Sequence, residues 1–346
     1  MLGINIGVDL GTAQVLVYVE GKGIVLSEPT AVAYNTESGK LIAIGKKAYR
    51  MLEKNPSSIR VVLPMREGVI SDFSATRHIV GYFVQKICGN MIFKPNLLVC
   101  LPATVTGLEK RTLLDLAISS GAGKACLIEE TLAAALGAGI DIDRPAGSMV
   151  VDIGGGTTDI AVITLGNIAI SKSVRIGGAA FDESIIRYLR NERALLIGRK
   201  TAEKIKNKIG CAHLNCNKRT LSIKGKDYLT GMPKEIDVNS EEIYLSIREN
   251  LEQICDGIMS VLESTPPELA GDVMENGIVL TGGGALLRGI DHLIASKTGV
   301  KTYIAEDPLT CVVRGMGRAL KDYKYLERCG YYYKTAEEIK GYKELG

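Results

Sequence analysis

The chain writes one short pattern twice, and that repeat limits what it can fold into. Near the start, Ile4-Asn5-Ile6-Gly7-Val8-Asp9-Leu10-Gly11-Thr12-Ala13-Gln14 is an apolar run ending in Asp, glycine and Thr, and a β-type run over 15–19 follows. The same order returns at Met149-Val150-Val151-Asp152-Ile153-Gly154-Gly155-Gly156-Thr157-Thr158-Asp159, again with a β-type run behind it, 160–163. Asp9 and Asp152 occupy equivalent places, as do Gly11-Thr12 and the Gly154-to-Thr157 turn. Such self-similarity predicts two similar halves. Each copy reads as a β-hairpin whose tight turn exposes backbone N–H groups. Glycine permits φ > 0 and lets a polyanion approach bare backbone. The Thr157 and Thr158 hydroxyls can add hydrogen bonds to phosphate. The Asp at each strand end can hold a divalent cation through water, as Mg²⁺ usually requires. One glycine-rich turn alone would read equally well as a hairpin with no ligand. Two facing turns, each with a carboxylate, would clamp a nucleotide's phosphates and their metal in a cleft between domains.

Length and composition agree with two domains. The chain has 346 residues, too many for one ordinary core, and 46% of them are hydrophobic. With no Trp and only four Phe, aliphatic side chains must fill the interior. A net charge of +3 implies no strong field for nucleic acid. The eight cysteines sit mostly in apolar runs, where Cys behaves as a small hydrophobe. No basic, apolar leader precedes Asp9, so a reducing cytoplasm with free thiols is expected. No uncharged apolar run approaches the length of a membrane span.

Residues 4–33 read as a three-stranded meander, and 34–68 as a small inserted subdomain with a short helix near 46–53. Apolar residues at Ile79, Val80, Phe83, Val84 and Ile87 have helical spacing. The loop Gly89-Asn90-Met91-Ile92-Phe93-Lys94-Pro95 carries three consecutive apolar residues, which reads either as an interface or as a cap on the core beneath. Residues 97–102 form a buried strand ended by Pro102, and Thr106 is a suitable N-cap for a helix to 119. Ser120-Gly121-Ala122-Gly123-Lys124-Ala125 is not a Walker loop, because Ile118 and Ala125 replace its first glycine and its Ser/Thr. Glu129 and Glu130 open an Ala-rich helix, where acids suit the helix dipole.

Residues 141–146 link the halves. Arg175-Ile176-Gly177-Gly178-Ala179-Ala180-Phe181-Asp182 leads into a helix, and 181–239 read as a second inset. Within it Glu203 and Lys206 share a helix face. Cys211, His213 and Cys216 fit no standard zinc spacing and lack an evident fourth ligand. A long amphipathic helix spans 240–264 and stops at Pro266-Pro267. Residues 277–287 read as strand, glycine turn and helix, with Gly282, Gly283, Gly284, Ala285 and Leu286 able to set bare backbone and a helix N-terminus against a nucleotide. After Pro308 a helix returns to the first half. The tail from Tyr323, rich in tyrosine, is expected to be a fraying helix or an interaction segment.

The hairpin turns resemble the phosphate loops of the actin, DnaK-type chaperone and sugar kinase superfamily. More closely, the chain resembles the MreB/Mbl family of bacterial actins. The resemblance rests on Asp9-Leu10-Gly11-Thr12-Ala13, Gly68-Val69-Ile70-Ser71-Asp72-Phe73, Ile128-Glu129-Glu130, residues 147–159, Val174-Arg175-Ile176-Gly177-Gly178, Thr201-Ala202-Glu203-Lys204-Ile205-Lys206, residues 280–287 and Ala305-Glu306-Asp307-Pro308-Leu309-Thr310-Cys311. It implies an α/β, actin-like two-lobe ATPase fold, each lobe a mixed sheet flanked by helices with a small inset. Lobe I would be 1–141 with 309–346, inset 34–68. Lobe II would be 142–308, inset 181–239. It implies ATP and Mg²⁺ as ligands, with Thr12, Ala13, Gln14, Gly154, Gly155, Gly156 and Thr157 at the phosphates and Asp9 and Asp152 at the metal. Glu203, Lys204, Ile205 and Lys206 would line the ribose and adenine, and Gly282 through Leu286 would close the site. Glu130 would orient the attacking water with Thr157 as partner. The family has Pro where Thr131 stands and often an acid at Ala179.

The resemblance further implies a weak ATPase that forms homopolymer filaments on the inner face of the membrane, with Met91, Ile92 and Phe93 inserted into lipid and basic residues nearby. Membrane-anchored morphogenesis and cell-wall synthesis proteins would be partners, and cell shape and wall elongation the task. A small-molecule kinase is the alternative, but no Asp stands in a clear sugar-binding context. A chaperone ATPase would need a peptide-binding domain beyond residue 346. A non-polymerising actin-like assembly protein is the remaining alternative.

Overall fold

The computed structural model describes residues 3–89, 93–214, 216–321, 326–327 and 330–341. The duplicated motif becomes a duplicated sheet. In the first lobe, strands run side by side in the order Gly23–Pro29, Gln14–Val19, Asn5–Leu10, Asn96–Leu101 and Lys124–Glu129. In the second lobe the order is Asn167–Val174, Thr158–Thr164, Ser148–Ile153, Ile278–Thr281 and Thr302–Ile304. Each motif strand pairs antiparallel with its hairpin partner on one side and parallel with a later strand on the other. Thus Asp9 faces Leu16 and Val8 faces Val99, while Asp152 faces Asp159 and Thr281. Strands buried on both faces read as continuous apolar runs, which is why 149–151 and 97–101 carry no polar alternation.

Helices cover both sheets. Phe73–Cys88 starts at Asp72, whose side chain accepts from the Ala75 N–H at 2.9 Å. Gly107–Ser119 starts at the expected Thr106, which forms a reciprocal capping box with Glu109. Ser240–Ser264 is capped the same way by Asn239 and Glu242 and turns its Ile face into the second lobe's core. Small three-stranded sheets sit on each lobe: Leu41–Ile44, Val32–Asn35 and Ile59–Val62 on the first, and Leu195-Leu196, Thr220–Asp227 and Pro233–Asn239 on the second. Two expectations change. After Gly282 the chain makes a short 3₁₀ turn, Gly283–Leu286, and the α-helix begins only at Ile290. Among the described tail residues, Lys334-Thr335 adds an edge strand beside Lys124–Glu129, and Leu326 and Ile339 are buried.

The lobes share a floor made by Glu130–Ala138 and Cys311–Lys321, which cross within one apolar cluster that also takes Leu98 and Ile128 from one sheet and Val150 and Ala161 from the other. The crossing has no room for side chains. A Cβ on Gly137 would run into the Cys311 carbonyl, and one on Gly315 into the Ala133 carbonyl. Gly315→Ala should therefore destabilise the fold by about 3 kcal/mol, the upper range for overpacking. That exceeds the ~1 kcal/mol that Ala gains over Gly in a helix interior. Urea unfolding tests the sign: a variant as stable as the parent would refute the backbone contact.

Candidate functional site

The two hairpin turns meet tip to tip between the lobes. A Cβ on Gly155 would lie 2.8 Å from the Ala13 Cβ, and one on Gly156 would collide with the Thr12 hydroxyl. Glycine at these positions is thus required by close approach. The turns are pinned from behind. The Gly68 N–H donates to Thr12 Oγ1 at 3.1 Å. The start of helix Gly178–Arg193 is stitched on by N–H bonds from Gly178 to the Gly154 carbonyl, 3.0 Å, and from Ala179 to the Gly155 carbonyl, 2.8 Å. Gly282 packs on the Ile153 backbone and donates its N–H to the Pro308 carbonyl at 2.9 Å. Three glycine turns, around Thr12, Gly155 and Gly282, therefore converge on one crevice.

Carboxylates gather at its base. Burial lifts Asp9 to about 7, with the nearby Asp152 charge adding to the rise. Burial also lifts Asp152 to about 6, against the pull of the Thr281 hydroxyl, which donates to its Oδ1 at 2.6 Å. Glu130 is pushed well above the usual carboxylate range by burial and then by Asp159, Asp9 and Asp152. Asp159 is raised by burial although the Ala103 N–H bonds to it at 3.0 Å. Burial raises all four acids, and neighbouring carboxylates add to the rise of Asp9, Asp152 and Glu130, so a positive counter-charge is needed for the group to ionise together. The donors are hard oxygens in a glycine-lined cradle, which fits a phosphate-bound Mg²⁺ better than a softer metal. Among the described residues no three Asp, Glu, His or Cys side chains are set to ligate a metal directly. Asp9 and Asp152 would act on its water shell.

The expected residues fall into distinct groups. Thr157 is buried beside the turn it closes, and Gly154 donates its N–H to the Thr157 carbonyl at 2.8 Å. Ala13 and Gln14 are exposed at the crevice rim. On helix Arg199–Ile209, Lys206 pairs with Asp182 at 2.8 Å and donates to the Gly178 carbonyl at 2.8 Å, beside the second turn. Glu203 is half-buried, and Lys204 points to solvent. Ile205 is fully buried in the core, so it anchors the helix by its side chain. Ala285 is buried and Leu286 exposed. Phe93 is exposed at 52%, whereas Met91 and Ile92 lie outside the described residues. Cys216 Sγ sits 3.6 Å from His213 Nε2, and Cys211 is buried, without forming a metal group. Thr281 and Asp159 were not assigned roles in the sequence. The signal was register: both stand opposite Asp152 in neighbouring strands.

Comparison with known proteins decides the family. The family model described as MreB/Mbl protein matches residues 3–328. The chain belongs to the MreB/Mbl family. It is 45% identical to the cell shape-determining protein MreB of Escherichia coli, covering 93% of this chain and 94% of the relative. It is 44% identical to the cell shape-determining protein Mbl of Bacillus subtilis, covering 92% and 96%. The crystal structure of MreB5 of Spiroplasma citri bound to ADP superposes with a TM-score of 0.89 at 41% identity, over 94% of this chain and 98% of that one. The fold is therefore the actin-like one, and the protein takes a cytoskeletal, actin-like role as a family member. The described tail beyond residue 328 lies outside the family match. Among the described residues no helix is long and apolar enough to cross a membrane.

Proposed function

We propose that this MreB/Mbl family member binds ATP with Mg²⁺ between its lobes, hydrolyses it slowly, and forms filaments on the inner face of the cell membrane that organise cell shape and wall elongation. The observation that carries the reading is the meeting of the turns at Thr12 and Gly155–Gly156 above Asp9, Asp152, Asp159 and Glu130. Backbone N–H groups would cradle the phosphates. Glu203, Lys204 and Lys206 would flank the sugar and base, and Gly282, Gly283 and Gly284 would close the third side.

Mg²⁺ would neutralise phosphate charge when bound. The chain's own residues then have separate tasks. Asp9 and Asp152 would hold the cation through its water shell, while the Thr281 hydroxyl orients Asp152. Glu130, with Thr157, orients the attacking water. Hydrolysis would remove contacts to the γ-phosphate and shift the balance between lobe arrangements, weakening subunit contacts. Morphogenesis and cell-wall synthesis proteins anchored in the membrane would be the partners.

Sedimentation with ATP tests polymerisation. The chain should pellet with ATP and Mg²⁺ and stay in the supernatant without them; the opposite result would reject the scheme. Anionic vesicles should increase the pellet. Phe93→Ala should lower the vesicle-bound fraction roughly fivefold, since burying one such side chain is worth about 1.5–3 kcal/mol and Phe93 is already half-covered. Unchanged vesicle binding would remove Phe93 from the membrane contact.

A further inference from the structure

We infer that Tyr49 and Glu53, on the inset of the first lobe, are positioning residues for the nucleotide site: from across the cleft they hold the helix Arg199–Ile209 that carries Glu203 and Lys206. The inference rests on the ATP site proposed above.

The helix begins at Gly198, which has no side chain to satisfy the first-turn N–H groups. The missing cap comes from the other lobe. Glu53 Oε1 accepts from the Arg199 N–H at 2.8 Å. A Cβ at residue 198 would strike the Glu53 carboxylate, so glycine there is what admits this partner. Glu53 itself sits at φ 63°, in the left-handed region that non-glycine residues seldom adopt. Such backbone persists where surrounding contacts fix it.

Two further contacts act on the same turn. The Lys200 ammonium donates to the Leu52 carbonyl at 3.2 Å and lies 5.0 Å above the Tyr49 ring. The Tyr49 hydroxyl donates to Glu203 Oε2 at 2.9 Å. A carboxylate accepts through both oxygens, so this bond holds Oε2 of Glu203 and leaves capacity for a ligand hydroxyl. Two turns of sequence away from Arg199, Lys206 meets Asp182 and the Gly178 carbonyl beside the phosphate turn. One helix thus joins the first lobe's inset to the phosphate turn.

Tyr49 and Glu53 move with the first lobe and the helix with the second. Any separation of the lobes wide enough to release a nucleotide must break all these contacts together. Glu53→Ala should speed release of fluorescently labelled ATP roughly fivefold, the factor expected for losing one N-cap. Tyr49→Phe should speed it roughly threefold, the factor for one net hydrogen bond. Glu53→Gln keeps an acceptor and should restore most of the slow release, which a general loss of stability would not do.

Hydrogen exchange of the Arg199 amide without nucleotide gives a second readout and should quicken in Glu53→Ala. Failure of the parent chain to take up labelled ATP would sink the site reading, while the amide measurement would still judge the clasp. If the parent binds ATP, yet Glu53→Ala and Tyr49→Phe release it at the parent rate with unchanged Arg199 exchange, the inference is overturned. Should Glu53→Ala unfold, Tyr49→Phe and Glu53→Gln carry the comparison.

Discussion

Glu130→Gln should bind ATP as tightly as the parent chain and hydrolyse it roughly 100- to 1,000-fold more slowly, within the range for losing a positioned general base. The expectation separates two roles that the crevice brings close together. Glu130 opens its helix beyond the end of the strand Lys124–Glu129, where its carboxylate is close enough to Asp159, Asp9 and Asp152 to feel their charge. Burial, and then the neighbouring acids Asp159, Asp9 and Asp152, raise its proton affinity above the usual carboxylate range. It is therefore suited to taking a proton from water and poorly suited to gripping phosphate. Thr131 is buried on the same helix and leaves the helix start intact. Single-turnover hydrolysis with equilibrium binding measured in parallel tests the division. Unchanged hydrolysis would remove Glu130 from the reaction, and lost binding would make it a ligand instead.

Stability should fall with rising pH unless magnesium and nucleotide are present. Asp9 rises from 3.8 to about 7 and Asp152 from 3.8 to about 6, so between these limits the folded chain holds more protons than the unfolded one. Their contribution is then fully present below pH 3.8 and is lost as pH climbs through 6 and 7. Mg²⁺ with ATP favours the ionised acids and should restore what was lost. The rise in Tm on adding Mg²⁺ and ATP should be larger at pH 8 than at pH 5.5. Asp152→Asn should weaken Mg²⁺-dependent ATP binding roughly 10- to 100-fold, the scale for an outer partner of a metal site. It should also flatten the pH dependence. A Tm gain equal at both pH values would show that these acids do not face the cation.

The twin hairpins were legible because every element of the motif is local: strand, acid, glycine and threonine follow one another within a dozen residues. The same holds for Thr106, whose capping partner stands three places on, and for the Ile-lined helix Ser240–Ser264. What escaped depends on distance. Thr281 meets Asp152 only because two parallel strands set them side by side. Glu53 caps Arg199 only because two insets fold toward each other, and a lone Glu after a short helix gives no hint of it. Lys334-Thr335 forms a two-residue edge strand, too short to show any period. Glycine-rich 282–284 predicted a helix start, yet Gly282 lies on the Ile153 backbone and its φ of 79° holds the chain in a tighter turn first.

The contact of Gly137 with Cys311 and of Gly315 with Ala133 gives the molecule an axle. Two helices that touch main chain to main chain leave little to compress at their crossing, so rotation about that line costs less than sliding along it. The small sheets of the two insets take no part in that crossing, so they would move with any such rotation. A change of a few degrees at the base becomes a displacement of ångströms at the rim, and in the filament proposed above each small tilt would alter the pitch.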